Sequence, residues 1–228
     1  MSLFAIADTH LSFASNKPMD DFEGWLNYTD RLKENWNKII DDKDYVVIAG
    51  DISWAMNFDE LKADFDYINQ LNGKKIILKG NHDYWWNTMS KMNKFIEENN
   101  FNTISILHNN AFDFDDFSVC GSRGWFFDSD EEQNEKVLNR EVMRIKASIE
   151  SALNCKKIVF LHYPPVYENQ CCEEIVSLLK EKGIKKCYYG HIHGVAAKYA
   201  FDDNYDGIDF KLISADRLDF MPLLIKKF

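Results

Sequence analysis

The sequence predicts an α/β fold whose strands pair largely in parallel, with mixed pairing toward the C-terminal end. Two observations carry that expectation. Up to about Tyr189, short apolar runs alternate with stretches of helical period, an order that lays helices over a parallel sheet. After Gly194 the helical period stops, and strand-like runs follow one another through turn-rich segments. Of the 228 residues, 46% are hydrophobic and 28% charged, enough apolar material for a sizeable core. No repeat, linker or low-complexity stretch divides them, so one domain over residues 1–228 is expected.

In order, Leu3-Phe4-Ala5-Ile6-Ala7 opens as a strand. Residues 20–42 carry Trp25, Tyr28, Leu32, Trp36, Ile39 and Ile40 near the helical period. The run Tyr45-Val46-Val47-Ile48-Ala49 reads as a strand buried on both faces. Residues 58–71 place Leu61, Phe65, Ile68 and Leu71 on one helical face, and Gly73 follows as a stop. A strand over 75–79 and a helix over 87–98 come next, the latter with Met89, Met92, Phe95 and Ile96 inward. Residues 103–108 and 112–121 read as strands joined in a hairpin through Asn109-Asn110. A long helix is expected over 128–154, with a capping box of Ser129 and Glu132 and a stripe of Leu138, Val142, Ile145, Ile149 and Leu153. A strand at 157–161, a helix at 173–182 and a strand at 184–189 complete the alternation. Strands at 195–201, 207–214 and 220–225 form the tail.

Several classes are disfavoured. The formal charge of −10 is wrong for a general nucleic-acid binder. No apolar run approaches the roughly 18 residues of a membrane span. Five cysteines without Cys-x-x-Cys spacing do not make a disulfide framework, and a cytoplasmic location is expected.

The chemistry-bearing residues gather where predicted strands end. Asp8-Thr9-His10, Gly50-Asp51, Gly80-Asn81-His82-Asp83, His162 and Gly190-His191-Ile192-His193 all follow apolar runs. Ligands of α/β sheets bind outside the carboxyl ends of strands, so these positions can converge. A single His or Asp there is more often a turn residue. Five segments with the same placement, one carrying two imidazoles, are not explained by turn chemistry. Imidazole with carboxylate and amide oxygen suits manganese, iron(II) or zinc better than calcium.

In this order, and with helix-length gaps, those segments resemble the calcineurin-like metallophosphoesterase superfamily. Segments 12–20, 50–56, 80–86 and 121–125 are further similar to a small bacterial branch of predicted phosphohydrolases. The resemblance implies a four-layer αββα sandwich with mixed sheets, and two divalent metal ions (manganese, iron or zinc). It implies hydrolysis of a phosphate mono- or diester by a metal-bridging hydroxide. Carried over by position, Asp8, His10 and His193 would hold one ion and Asn81, His162 and His191 the other, with Asp51 bridging. His82 matches the histidine that contacts phosphate and serves as general acid. The alternative is a metal-binding scaffold without catalysis.

The segment Gly50-Asp51-Ile52-Ser53-Trp54 departs from the GDxxDRG motif of the phosphoprotein phosphatases. Trp54 stands where the second Asp would orient the catalytic histidine, and the Arg is missing. A small phosphate ester or nucleotide is therefore favoured over a protein substrate, and the group that orients His82 is left open. Arg123 is either a phosphate ligand or a surface residue in a glycine turn. Trp85 and Trp86, with Trp54 and Trp125, either border the substrate or belong to the core. The loop from Ser12 to Asp21, with Lys17, either borders the site or merely connects, and Asp83, unassigned, serves either local capping or chemistry.

Overall fold

The computed structural model describes residues 1–125 and 135–228. The apolar runs form two stacked sheets. The first has the order β13-β1-β2-β3-β4, from β1 (Ser2–Ile6), β2 (Tyr45–Ala49), β3 (Lys74–Leu78), β4 (Ile104–Ile106) and β13 (Leu223–Lys227). Strands β1 to β4 are parallel, and β13 closes the β1 edge antiparallel. The second has the order β11-β12-β10-β7-β6-β5, from β5 (Phe112–Asp113), β6 (Ser118–Ser122), β7 (Lys157–Leu161), β10 (Lys186–Tyr189), β11 (Asn204–Tyr205) and β12 (Ile208–Leu212). Its four inner strands are parallel and its two edges antiparallel. A two-stranded ribbon of β8 (Val166–Tyr167) and β9 (Gln170–Cys171) stands apart.

Side chains alternate across each strand, so continuous apolar runs supply two cores at once. Leu3, Ala5, Val47, Ala49, Ile76 and Leu78 meet Val119, Ile158, Phe160 and Tyr188 between the sheets. Phe4, Ile6, Val46, Ile48 and Ile77 face α1 (Tyr28–Ile39), α2 (Phe58–Gln70) and α3 (Met89–Glu98) on the first sheet's outer side. Cys120, Val159, Leu161, Cys187 and Tyr189 face α4 (Glu135–Ser151) and α5 (Glu173–Glu181) beyond the second. Four layers result, αββα, as expected. Local chemistry sets where α2 begins. The Asn57 side chain accepts from Glu60 N (3.0 Å), while the Glu60 carboxylate accepts from Met56 N (2.8 Å), a reciprocal cap.

The expected elements are altered in five places. The hairpin through Asn109-Asn110 does not form: β4 pairs with β3 in one sheet, while residues 112–121 split into β5 and β6 of the other. That turn instead carries the chain between layers. Residues 195–201, whose alternation reads as a strand, fold as a 3-10 helix (Gly194–Tyr199). Only Tyr28–Ile39 of residues 20–42 is α-helical, with Trp25 buried ahead of it. Leu153 lies past the end of α4 and is 86% exposed, so it leaves the stripe. The last strand starts at Leu223, not at Phe220, which turns into the core with φ of 56°. The Ser129 and Glu132 capping box lies outside the described residues. No helix among the described residues is long and apolar enough to cross a membrane.

Candidate metal centre

All parallel strands of both sheets end on the same side, and the backbone beyond them is stitched together. Asp8 N donates to Gly50 O (3.0 Å), His10 N to Asp51 O (3.0 Å) and Gly190 N to His162 O (3.0 Å). An isolated parallel bridge between Ala7 and Ser214 joins the end of β1 to the segment after β12. The sheets therefore meet at the motif segments.

Two glycines permit that meeting. A Cβ on Gly80 would lie 2.1 Å from Asp51 Oδ1, and one on Gly190 would lie 2.5 Å from Ala7 Cβ. Close approach, rather than a sharp exit from the strand, explains Gly80. Four non-glycine residues of the cluster, Asp8 (φ 57°), His10 (43°), Asp51 (48°) and His191 (71°), sit in the left-handed region. Such positions persist only where the surroundings over-determine them.

The structure brings the expected donors together. Ligand atoms of Asp8, His10 and Asp51 lie within 4.8 Å of one another, as do those of Asp51, His162 and His191. Asp51 belongs to both groups. Asn81 Oδ1 lies 2.6 Å from His162 Nε2 and 3.0 Å from His191 Nδ1. The His193 ring centroid is 5.3 Å from that of His10.

The orphaned atoms test whether a cation fits. His10 is 1% exposed, yet neither ring nitrogen has a hydrogen-bond partner, and Asp51 Oδ2 has none either. His10 Nε2 and Asp51 Oδ2 are 3.8 Å apart, too far for a hydrogen bond. That gap is close to the roughly 3–4 Å separating two donors that share one ion through bonds near 2.1 Å. Buried polar atoms left unpaired are destabilising unless something satisfies them. The residues present fit divalent metal.

Electrostatics agree. Burial raises the carboxyls of Asp8 and Asp51 well above the ordinary range, and for Asp8 the neighbouring Asp51 charge adds to it. Burial also lowers His10 and His193, and pushes His162 down to about 3. Neutral imidazoles are ready donors, and a cation would return the carboxyls to their charged form.

The surrounding contacts hold these donors in place. Asp8 accepts from His191 N through both oxygens (3.0 and 2.9 Å) and from Ser214 Oγ (2.6 Å). His162 Nδ1 lies 3.1 Å from Ala49 O, which suits a ring that coordinates through Nε2. Tyr28 Oη donates to His10 O (2.9 Å). Asp83, unassigned from the sequence, is fully buried and accepts four backbone N–H groups: Gly80 (2.7 Å), Asp51 (3.0 Å), Ile52 (2.8 Å) and Ser53 (3.3 Å). It clamps the Asp51 loop to the Asn81 loop. Ser214 was equally hidden, because it follows the last motif and has no neighbour that marks it.

The substrate-facing expectations divide. His82 projects beside the cluster, its ring 4.5 Å from Trp54 and 5.9 Å from His10 between centroids. Trp54 also stacks on His10 (4.8 Å, 22°), and Lys17 Nζ sits 4.2 Å from the Trp54 ring centre, at the site's rim. Arg123 is half-buried with its guanidinium 5.5 Å from the Tyr163 ring, and Tyr163 meets His191 edge-on at 4.5 Å. Trp85 is instead core, 2% exposed and edge-on to Phe65 (5.3 Å). Trp86 is half-buried and leans on Trp85 (5.3 Å); Trp125 is buried. The aromatic residues against the donors are Trp54 and Trp25 beside His10 and Tyr163 beside His162 and His191, while Trp85 belongs to the core.

A profile of the calcineurin-like phosphoesterases matches residues 1–195. The chain belongs to that family. An uncharacterised protein of Methanocaldococcus jannaschii is 34% identical over 86 residues, 36% of this chain and 46% of that protein. The chain thus matches less than half the length of that curated relative. Among solved structures, the phosphopantetheinyl hydrolase of Mycobacterium tuberculosis aligns with a TM-score of 0.57 at 14% identity, covering all of this chain and 96% of that one. A protein of unknown function from Aquifex aeolicus aligns at 0.51 and 15% identity, covering 98% and 95%. At such identity the likeness carries the fold alone. The Asp/His clusters are groups that could hold the divalent metal typical of that family.

Proposed function

We propose that the protein hydrolyses a small phosphate ester, nucleotides included, at a centre of two divalent ions. Asp8, His10 and His193 would hold one, Asn81, His162 and His191 the other, and Asp51 would be shared between them. The observation that carries this is the position of Asp51, whose carboxylate belongs to both donor groups while one of its oxygens is orphaned. Bound ions would supply Lewis acidity toward phosphate oxygens and lower the pKa of water from about 15.7 to about 7.

The chain's own part is positional and electrostatic. Asp8 and Asp51 are two carboxylates among imidazoles, so the loaded site keeps net positive charge where a phosphate arrives. Asn81 brings an oxygen without charge, preserving that surplus. The Asp83 clamp and the Ser214–Asp8 contact keep the donors from relaxing toward one another. His82, beside the cluster yet unassigned to either ion, gives a proton from Nε2 to the departing oxygen. Arg123 and Lys17 are the cations that meet the ester's remaining negative charge, and Trp54 offers the apolar wall. The five free cysteines suit a reducing compartment such as the cytoplasm.

The test is hydrolysis of p-nitrophenyl phosphate and bis-p-nitrophenyl phosphate after loading with manganese, iron(II) or zinc, with metal content measured on the same samples. Turnover that requires the metal and is lost in Asp51→Asn and His191→Ala is expected. Loaded protein that hydrolyses neither class would instead indicate a metal-binding scaffold.

A further inference from the structure

We infer that Tyr84 is the positioning residue of His82, a hydroxyl doing what a carboxylate does in relatives with the longer GDxxDRG motif. The inference rests on the proposed role of His82 as proton donor. It answers a question the sequence leaves open, because Trp54 occupies the place of the orienting Asp.

Tyr84 Oη lies 3.0 Å from His82 Nδ1. The two residues are also tied through the backbone, where Tyr84 N donates to His82 O (2.8 Å). His82 N in turn donates to Asp51 Oδ1 (2.8 Å), and Asp83 between them is pinned by its four N–H donors. The base of this turn cannot drift, so the Tyr84 hydroxyl is delivered to the ring. Trp54 packs on the same imidazole at 4.5 Å between centroids, tilted 44°. Both contacts restrain the ring.

The chemistry of a hydroxyl suits the task. It can donate to Nδ1 of a neutral ring, which puts the ring proton on Nε2, and it can accept from Nδ1–H when the ring carries both protons. The hydrogen bond on one ring nitrogen sets what the other carries. A carboxylate can only accept. Tyr84 therefore anchors the ring through Nδ1 in either protonation state, and it does so without adding negative charge where an anionic substrate must enter.

The experiment compares Tyr84→Phe with His82→Ala on esters with good and poor leaving groups. Tyr84→Phe retains the ring and removes only the oxygen. The expected result is a kcat for glycerol phosphate at least tenfold lower, a kcat for p-nitrophenyl phosphate lowered at most threefold, and KM and metal content retained. Departing p-nitrophenolate needs little protonation, whereas an alkoxide needs it fully. Ring 15N shifts of His82 in the metal-free protein give an activity-independent reading. Wild type should show one ring environment with Nδ1 in a hydrogen bond, and Tyr84→Phe a shifted Nδ1 signal with broadened ring resonances. Equal losses on both esters, or ring shifts unchanged in Tyr84→Phe, would overturn the assignment. If His82→Ala lacks the leaving-group bias, the proton-donor role of His82 fails, and the ring shifts still decide whether Tyr84 orients it.

Discussion

His10 and Lys75 are both removed from water, and the protein treats them in opposite ways. Lys75, at the start of β3, places Nζ 2.6 Å from Leu71 O and 2.8 Å from Gly73 O, carbonyls just past the end of α2. His10 keeps both ring nitrogens unpaired and faces an unpaired Asp51 oxygen. The first is a buried polar group whose partners come from its own surroundings. The second is arranged so that nothing in the described chain completes it. Lys75 lies in a strand and His10 just beyond one, and both are buried, so burial alone does not mark function. What marks it is burial without a partner, with strain in the backbone that presents it.

The contrast can be broken at several points. Asp51→Asn should have the largest effect, lowering metal affinity by at least about a hundredfold, since even residues behind the ligands are worth 10–100-fold. Hydrolysis should fall with it. The metal-free protein should unfold at the same denaturant concentration or a higher one, because a buried charge with an orphaned oxygen has been neutralised. A metal-free Asp51→Asn variant less stable than wild type would put Asp51 in the class of Lys75.

Asp83→Ala comes next. It removes the acceptor of four buried N–H groups and should lower unfolding free energy by about 3 kcal/mol, read by urea titration with and without metal. Asp83→Asn, which retains an acceptor oxygen, should lose less. Saturating metal should stabilise wild type by about 2.7 kcal/mol at a hundred times Kd, and Asp51→Asn by much less at the same concentration, measured as a shift in midpoint.

Lys75→Met should have the smallest effect, under about 1 kcal/mol at pH 7, because relieved desolvation and lost carbonyl contacts offset each other. Its pH dependence is more telling. Burial pushes the Lys75 ammonium down to about 8 from an ordinary 10.5. Across that window the unfolded chain holds a proton that the folded chain has released. Wild type should therefore gain stability relative to Lys75→Met as pH rises from 8 to 10.5, with the full burial penalty present below pH 8. A flat difference in midpoint over that range would mean that the amine stays protonated in the fold.

Those differences explain what the sequence made legible. Strands buried on both faces appear as apolar runs, and five motif segments stand out because each polar cluster interrupts such a run. The layers followed from the alternation and the resemblance. Contacts between distant residues were not legible. Asn109-Asn110 has the local chemistry of a hairpin turn, but β4 gains more by continuing the parallel ladder of β3, so the turn serves a crossing between sheets. Residues 195–201 alternate like a strand, yet no ladder is open to them beside β12, and they coil instead. Asp83 stands in a motif segment that does not reveal its partners and Ser214 has no distinguishing neighbour; those partners lie 30 or more residues away for most contacts and 206 away for Ser214 to Asp8. Trp85 and Trp86 lie next to a motif in sequence, but adjacent residues of a turn point apart, which sent Trp85 inward.

The bridge between Ala7 and Ser214 has a consequence for how the centre comes into being. The serine that fixes the Asp8 carboxylate leaves the ribosome 206 residues after Asp8 does. Through synthesis, strands β1 to β4 and helices α1 to α3 can assemble while Asp8 waits without His191, His193 or Ser214. A chain interrupted before residue 214 keeps most of its apolar core and has no finished cradle for a cation. Metal capture thus reports that synthesis has passed that point, and a nascent-chain series cut before and after Ser214 should switch from weak to tight retention there.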